Sequence, residues 1–221
     1  MTNRIEQWAA PDIRLVETTE GEVTLSIDGH QAMQAWERDL MWAAADQLCT
    51  FGSEFLEVGL GLGISALRIA SNPTTRRHVV VERYGEVIEL FRERHPNPPP
   101  ALEIVEADVF EHYAAVPPAS LDGVFFDPFM PAELESQKAL WDEFMPMVIR
   151  SLRPGGAFVP FFTTEPVLKW PFFEYFDRVI VTKHAFAAYA DTNYTTRPSG
   201  TAYLQCFVRA EGATRSVNSV S

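Results

Sequence analysis

The sequence predicts an α/β chain built on a doubly wound, mostly parallel sheet, and three observations carry that prediction. From Phe55 onward, apolar runs of strand length alternate with segments of helical period, the order that βαβ units produce. The run Phe55-Leu-Glu-Val-Gly-Leu-Gly-Leu-Gly63 passes from a buried strand straight into a glycine-rich turn, and the apolar helix Ile64-Ser-Ala-Leu-Arg-Ile-Ala70 follows at once. Acids close two of the strands, Glu82 after Val79-Val-Val81 and Asp127 after Gly123-Val-Phe-Phe126.

The elements follow in order. Phe55–Val58 reads as the first core strand and Ile64–Ser71 as its helix. His78–Glu82 is the second strand, followed by a helix over Gly85–His95. That helix stops at His95-Pro-Asn-Pro-Pro-Pro100, where successive prolines remove donors and push the preceding residues out of the α region. Leu102–Glu106 is a third strand and Gly123–Asp127 a fourth. A long helix is expected over Pro131–Leu152, ending at the Arg153-Pro-Gly-Gly156 turn, with Ala157–Phe162 as the fifth strand. Arg178–Thr182 and Thr201–Val208 read as two further strands, separated by Asp191-Thr-Asn-Tyr-Thr-Thr-Arg-Pro-Ser-Gly200, which carries turn residues throughout. The expected organisation is one domain. Residues 1–50 form an N-terminal helical, lid-like extension packed on the core, 51–210 the core, and 211–221 a polar tail that frays.

Composition bounds the partners. A chain of 221 residues is long enough to bury a real core. Its net charge of −12 repels polyanions, and no basic patch offsets it. Nucleic acid is therefore excluded as an expected partner. Cys49 and Cys206, the only cysteines, lie in apolar contexts and read as buried free thiols of a reducing cytoplasm. The N-terminus lacks a signal-peptide core, and no apolar run approaches the ~20 residues that span a bilayer. The expectation is a soluble, cytoplasmic protein with no membrane partner, monomeric or homodimeric. His30, His78, His95, His112 and His184 show no ligand spacing, so no metal is expected.

Glycines let the backbone turn sharply and let a ligand approach its N–H groups, while the helix start presents unpaired donors. The loop Gly59, Leu60, Gly61, Leu62, Gly63, Ile64 and Ser65, with Glu57 just upstream, is thus placed to hold a nucleotide-like cofactor. It is not the dinucleotide fingerprint, whose third glycine falls on Ile64. Glu82 is placed to accept ribose hydroxyls. Asp108 sits just past the third strand, either as a cofactor contact with Val109 or as a cap for Val109-Phe-Glu-His112. Asp127, within Phe125-Phe-Asp-Pro-Phe-Met-Pro131, is a carboxylate in apolar surroundings, and a cationic or NH-rich ligand is its natural complement.

Gly59-x-Gly61-x-Gly63 with its upstream acid resembles the first motif of class I S-adenosylmethionine (SAM) methyltransferases. That resemblance implies a Rossmann-like, seven-stranded sheet ending in an antiparallel C-terminal hairpin, and an acid such as Asp108 near the adenine. Leu25-Ser-Ile-Asp-Gly-His-Gln-Ala-Met-Gln-Ala-Trp-Glu37 resembles the segment before the core in guanidinoacetate N-methyltransferases, through Leu25, Ile27, Gly29, Met33, Trp36 and Glu37, then Met41. Trp8-Ala-Ala-Pro11 and Leu152-Arg-Pro-Gly-Gly156 are similar to further elements of that family. The resemblance implies SAM contacts for Trp8, Met33 and Met41, a ribose acid in Glu82, and a substrate-binding carboxylate pair in Glu37 and Asp127. Carboxylates can grip a guanidinium bidentately on two sides.

The expected reaction is N-methylation of a small guanidine or amine, with Asp127 accepting the proton and Glu37 orienting the acceptor. The chain departs from the family where Glu37-Arg-Asp-Leu-Met41 replaces glutamate-threonine-proline-tyrosine-methionine. It departs again at Asp127-Pro-Phe-Met-Pro131, which replaces aspartate-threonine-tyrosine-proline and loses a tyrosine hydroxyl, with Phe129 expected beside the acceptor, and at Thr164-Glu165, which takes the place of a threonine–serine pair that meets the substrate's carboxylate. A glutamate there repels a carboxylate, so the acceptor is expected to be neutral or cationic at its far end, read by residues 163–168 and 188–200. Other readings are an O-methyltransferase, a non-catalytic SAM-binding subunit, an NAD-dependent oxidoreductase, or an aminopropyl transferase on the same fold.

Overall fold

The computed structural model describes residues 11–19, 21–130, 137–169 and 172–210. It opens on a three-stranded antiparallel sheet, β1 (Ile13–Glu17), β2 (Val23–Ile27) and β3 (His30–Gln34). Among the described residues of the extension expected to be helical, these three strands precede the helical part. Val23-Thr-Leu-Ser-Ile27 buries every second side chain, a period that suits a strand and not a helix. Asp28 and Gly29 take φ of 52° and 77°, the left-handed pair that a two-residue hairpin turn requires. The 3-10 turn Ala35–Glu37 then leads into α1 (Arg38–Cys49).

The core alternates strand and helix, adding α4 between the third and fourth predicted strands: β4 (Glu54–Val58), α2 (Ile64–Ala70), β5 (Arg77–Glu82), α3 (Gly85–Arg94), β6 (Leu102–Glu106), α4 (Val109–Ala115), β7 (Leu121–Phe126), α5 (Lys138–Ser151), β8 (Leu152–Pro160), β9 (Arg178–Ala187) and β10 (Ser199–Val208). These strands form one seven-stranded sheet in the order β6-β5-β4-β7-β8-β10-β9. The first five are parallel, and β10 runs antiparallel to both β8 and β9. The order reverses between β4 and β7, so a crevice opens over their carboxyl ends, where open α/β sheets bind ligands.

Helices cover both faces. On one side Leu40, Met41, Ala45 and Leu48 of α1 pack against Phe55 and Phe125. On the other, Trp141, Phe144 and Val148 of α5 meet Phe126 and Phe158. The turn expected at Arg153–Gly156 is an irregularity inside β8, where pairing with β7 jumps from Leu121↔Leu152 to Gly123↔Ala157. Asp122 ties the strand starts together, accepting from the backbone N–H groups of Ser53 (2.8 Å) and Glu54 (3.0 Å) and from Arg153 (2.5 Å). The last hairpin pairs without a break from Ser199↔Ala187 to Val208↔Arg178, so the strand predicted over Arg178–Thr182 runs on to Ala187 and the loop lies at residues 188–198. Residues 131–136, where the long helix was expected to begin, and the tail 211–221 lie outside the described residues. No helix among the described residues is long and apolar enough to cross a membrane.

Candidate active site

The glycine loop and the end of β7 meet at the switch point. Asp127 donates its backbone N–H to Val58 O at 3.0 Å, so the chain leaving β7 lies against the chain leaving β4. Gly59, at φ +89°, has no room for a side chain: a Cβ there would sit 2.6 Å from Asp127 O and 2.7 Å from Pro128 Cα. Gly61 is crowded by Met33, whose Sδ would be 2.8 Å from its Cβ and already accepts the Leu62 N–H at 3.3 Å. The N-terminal hairpin thus closes directly over the glycine loop.

Beneath it is a cleft whose walls include Met33, Gly59, Gly61, Glu82, Asp108 and Asp127. Glu82 is buried at the tip of β5, where Oε2 accepts the Leu60 N–H (2.8 Å) and Oε1 the Tyr84 N–H (2.9 Å). Burial raises its pKa, and the backbone donors of Leu60, Tyr84, Arg83 and Gly61 oppose that rise. Asp108 caps α4 by accepting the N–H groups of Phe110 (2.9 Å) and Glu111 (3.4 Å), both on Oδ1. Its carboxylate serves the helix and faces the cleft together. Val109 and Phe129 also line the cleft.

Other predicted residues lie behind that surface. Glu57 and Ser65 are fully buried and bonded to each other, and His78 Nε2 stands 3.0 Å from the second oxygen of Glu57. Leu60 is fully buried, packed with Leu25, Val80 and Phe91, and Leu62 and Ile64 pack into the core at the base of the loop. Gly63, at φ 74°, forms the N-cap of α2. Met41 is buried against the sheet with Phe125. Trp8 lies outside the described residues.

Glu37 and Asp127 are electrostatically coupled. Glu37 is buried, and its Oε1 accepts the Gln34 N–H at 2.7 Å and the Tyr194 hydroxyl at 2.6 Å. Its carboxyl is pushed up to about 8, by burial first and then by the negative charge of Asp127, with those two donors holding it back. Asp127, half-buried in the cleft wall, is pushed up to about 7 by burial and then by Glu57, with Lys169 opposing. A raised carboxyl keeps its proton in the folded chain where the unfolded chain has released it. The stability that Glu37 contributes in this way is complete below its ordinary value of 4.5 and is lost as pH rises through about 8. Melting temperature should therefore fall across that window. Glu37→Gln, whose amide oxygen can still accept both donors, should flatten the fall in differential scanning fluorimetry.

Sequence reasoning missed what surrounds Glu37. Trp36 stacks on Tyr194 (6.1 Å, 19°) and meets Phe186 at 5.6 Å and Phe162 at 6.0 Å. Thr164 and Glu165 follow β8, and Glu165 Oε1 accepts the Thr196 hydroxyl at 2.5 Å. The loop between β9 and β10 therefore touches both Glu37 and Glu165. Its turn residues marked it as a loop, but nothing local in the sequence shows which side chain folds back onto position 37.

A family model described as guanidinoacetate N-methyltransferase matches residues 5–165. A tRNA (guanine-N(7)-)-methyltransferase of Nitrosospira multiformis is 28% identical over 110 residues, covering 47% of this chain and 47% of that protein. The chain thus spans about half the length of the curated relative it matches. Among solved structures, spermidine synthase from Thermotoga maritima superposes with a TM-score of 0.66 at 18% identity, over 93% of this chain and 72% of that one. Precorrin-6y C5,15-methyltransferase from Geobacter metallireducens gives 0.57 at 16%, over 77% and 88%. At those identities the likeness shows the fold alone. The family match covers well over half of the sequence, including the hairpin, Glu37, the glycine loop and Asp127: the chain belongs to the guanidinoacetate N-methyltransferase family.

Proposed function

We propose that the protein is a SAM-dependent N-methyltransferase acting on a small guanidine. The observation that carries this reading is a pair of carboxyls on the two sides of the N-terminal junction: Glu37, buried and bonded to Tyr194, and Asp127, in the cleft at the switch point of the sheet, whose charge adds to the rise of the Glu37 carboxyl. Such a pair disfavours its own ionisation and is relieved by a cation that offers several NH donors.

The residues present fit SAM. Gly59 and Gly61 keep the loop free of side chains where Cβ atoms would collide, Glu82 offers a buried carboxylate beside that loop, and Asp108 and Val109 line the far wall. Bound SAM supplies an electrophilic methyl group on a sulfonium. A guanidinium nitrogen must lose a proton as it gains the methyl group, and Asp127, with a pKa near neutrality, is suited to take it. Glu37 holds the remaining NH groups and fixes the acceptor's orientation. Phe129 and the aromatic residues around Trp36 exclude water, which strengthens both interactions. Glu165 adds a third carboxylate to the loop that meets Glu37, and this favours an acceptor without a carboxylate tail.

The test is mass spectrometry of a panel of small guanidines and amines incubated with the protein and methyl-labelled SAM. Label on a guanidine nitrogen supports the proposal. Label confined to alkylamines moves the acceptor class. SAM binding with no transfer to any of them supports a non-catalytic subunit instead.

A further inference from the structure

The loop from 188 to 198 is anchored to the N-terminal hairpin by a set of polar contacts. Gln31 Nε2 donates to Asp191 O (2.9 Å) and Gln31 Oε1 accepts the Asn193 N–H (2.9 Å). The buried Gln34 donates to Asp191 Oδ1 (3.2 Å) and accepts the Thr192 hydroxyl (2.5 Å) and the Trp36 indole N–H (3.0 Å). On the far side, Thr196 donates to Glu165. Between these anchors stands Tyr194, whose hydroxyl reaches Glu37 and whose ring lies on Trp36. Tyr194 is 40% exposed while Glu37, to which its hydroxyl is bonded, is 6% exposed.

We propose that Tyr194 is a specificity-determining residue of the acceptor site, its hydroxyl fixing the carboxylate that grips the acceptor and its ring, stacked on Trp36, forming the wall that limits the acceptor to a small planar cation. The inference rests on reading Glu37 as the acceptor grip. Both the Gln34 N–H and the Tyr194 hydroxyl converge on Oε1 of Glu37, which on this proposal leaves Oε2 to meet the acceptor. Aromatic faces beside an acid favour a flat, delocalised cation over a compact, strongly hydrated ammonium. Burial and the Glu37 charge raise the phenol's pKa, so it stays a donor wherever the enzyme works. The family match ends at residue 165, so Tyr194 comes from a segment beyond the one that model describes.

The test compares wild type, Tyr194→Phe, Tyr194→Ala and Glu37→Gln, each checked by melting and SAM titration. It uses guanidines of increasing N-substitution as acceptors. Tyr194→Phe should raise KM for guanidine acceptors about tenfold or more, the loss expected for a hydrogen bond to a charged group, with kcat and KM for SAM near wild type. Its acid limb of kcat/KM should move to higher pH, because a donor that eased Glu37 ionisation is gone. Tyr194→Ala should admit bulkier N-alkyl guanidines that the wild type rejects. If Glu37→Gln raises acceptor KM and the Tyr194 variants change neither KM, pH profile nor selectivity, the role of Tyr194 is overturned alone. If Glu37→Gln also leaves acceptor KM unchanged, the reading of Glu37 falls and this inference with it.

Discussion

Asp127→Asn should lower turnover by about 10²–10⁴-fold, the range that a positioned general base supplies, while SAM should bind near wild-type strength. The asparagine keeps the shape of the side chain and the backbone bond to Val58 that docks β7 on β4, so the loop and cleft persist. What is lost is the group whose pKa lies near neutrality, at about 7. Wild-type kcat/KM should rise with pH through that region as Asp127 and Glu37 ionise, and the variant should keep only the part of that limb that Glu37 sets. Rapid-quench measurement of methyl transfer, beside calorimetric SAM titration, separates the chemical step from binding. Wild-type turnover by Asp127→Asn would remove it from the mechanism.

Gly59→Ala should be the most damaging single change outside the carboxylates. Its Cβ would stand 2.6 Å from a backbone oxygen and 2.7 Å from a backbone carbon, and its φ is +89°. Neither neighbour is a side-chain end that can swing away. Overpacking of this kind costs about 1–3 kcal/mol, and the left-handed backbone adds about 1–2 kcal/mol for a residue with a Cβ. Relief must come from separating the glycine loop from the Asp127 turn, the two surfaces the site needs in contact. Expected readouts are a lower midpoint in chemical denaturation and loss of SAM binding together. A variant that binds SAM normally would show that the loop tolerates the displacement.

The sheet was legible because each core strand is a short apolar run bounded by a glycine or proline turn, and because glycines and acids mark the switch point. Gly59, Glu82, Asp108 and Asp127 reach the cleft for that reason. The hairpin β2–β3 was hidden because Met33, Trp36 and Met41 also suit a helical stripe. In the structure they fall in a strand, a 3-10 turn and a helix, and the Asp28-Gly29 turn decides the matter. Glu57 and Ser65 sit in the motif but satisfy each other beneath it, a pairing fixed by how α2 packs on β4. Tyr194 was illegible for a different reason: its bond to Glu37 spans 157 positions and depends on how the last hairpin folds back over the first.

On the proposed mechanism, Glu37 and Asp127 hold protons until a guanidinium arrives. Calorimetric titration of the S-adenosylhomocysteine complex with methylguanidine, near pH 7 in buffers of different ionisation enthalpy, measures this directly. With Glu37 raised to about 8 and Asp127 to about 7, binding should expel protons into the buffer as both groups ionise against the cation. Glu37→Gln and Asp127→Asn should each release fewer. Methylguanidine binding with no proton release, or failing to bind a complex that holds S-adenosylhomocysteine, would contradict the account.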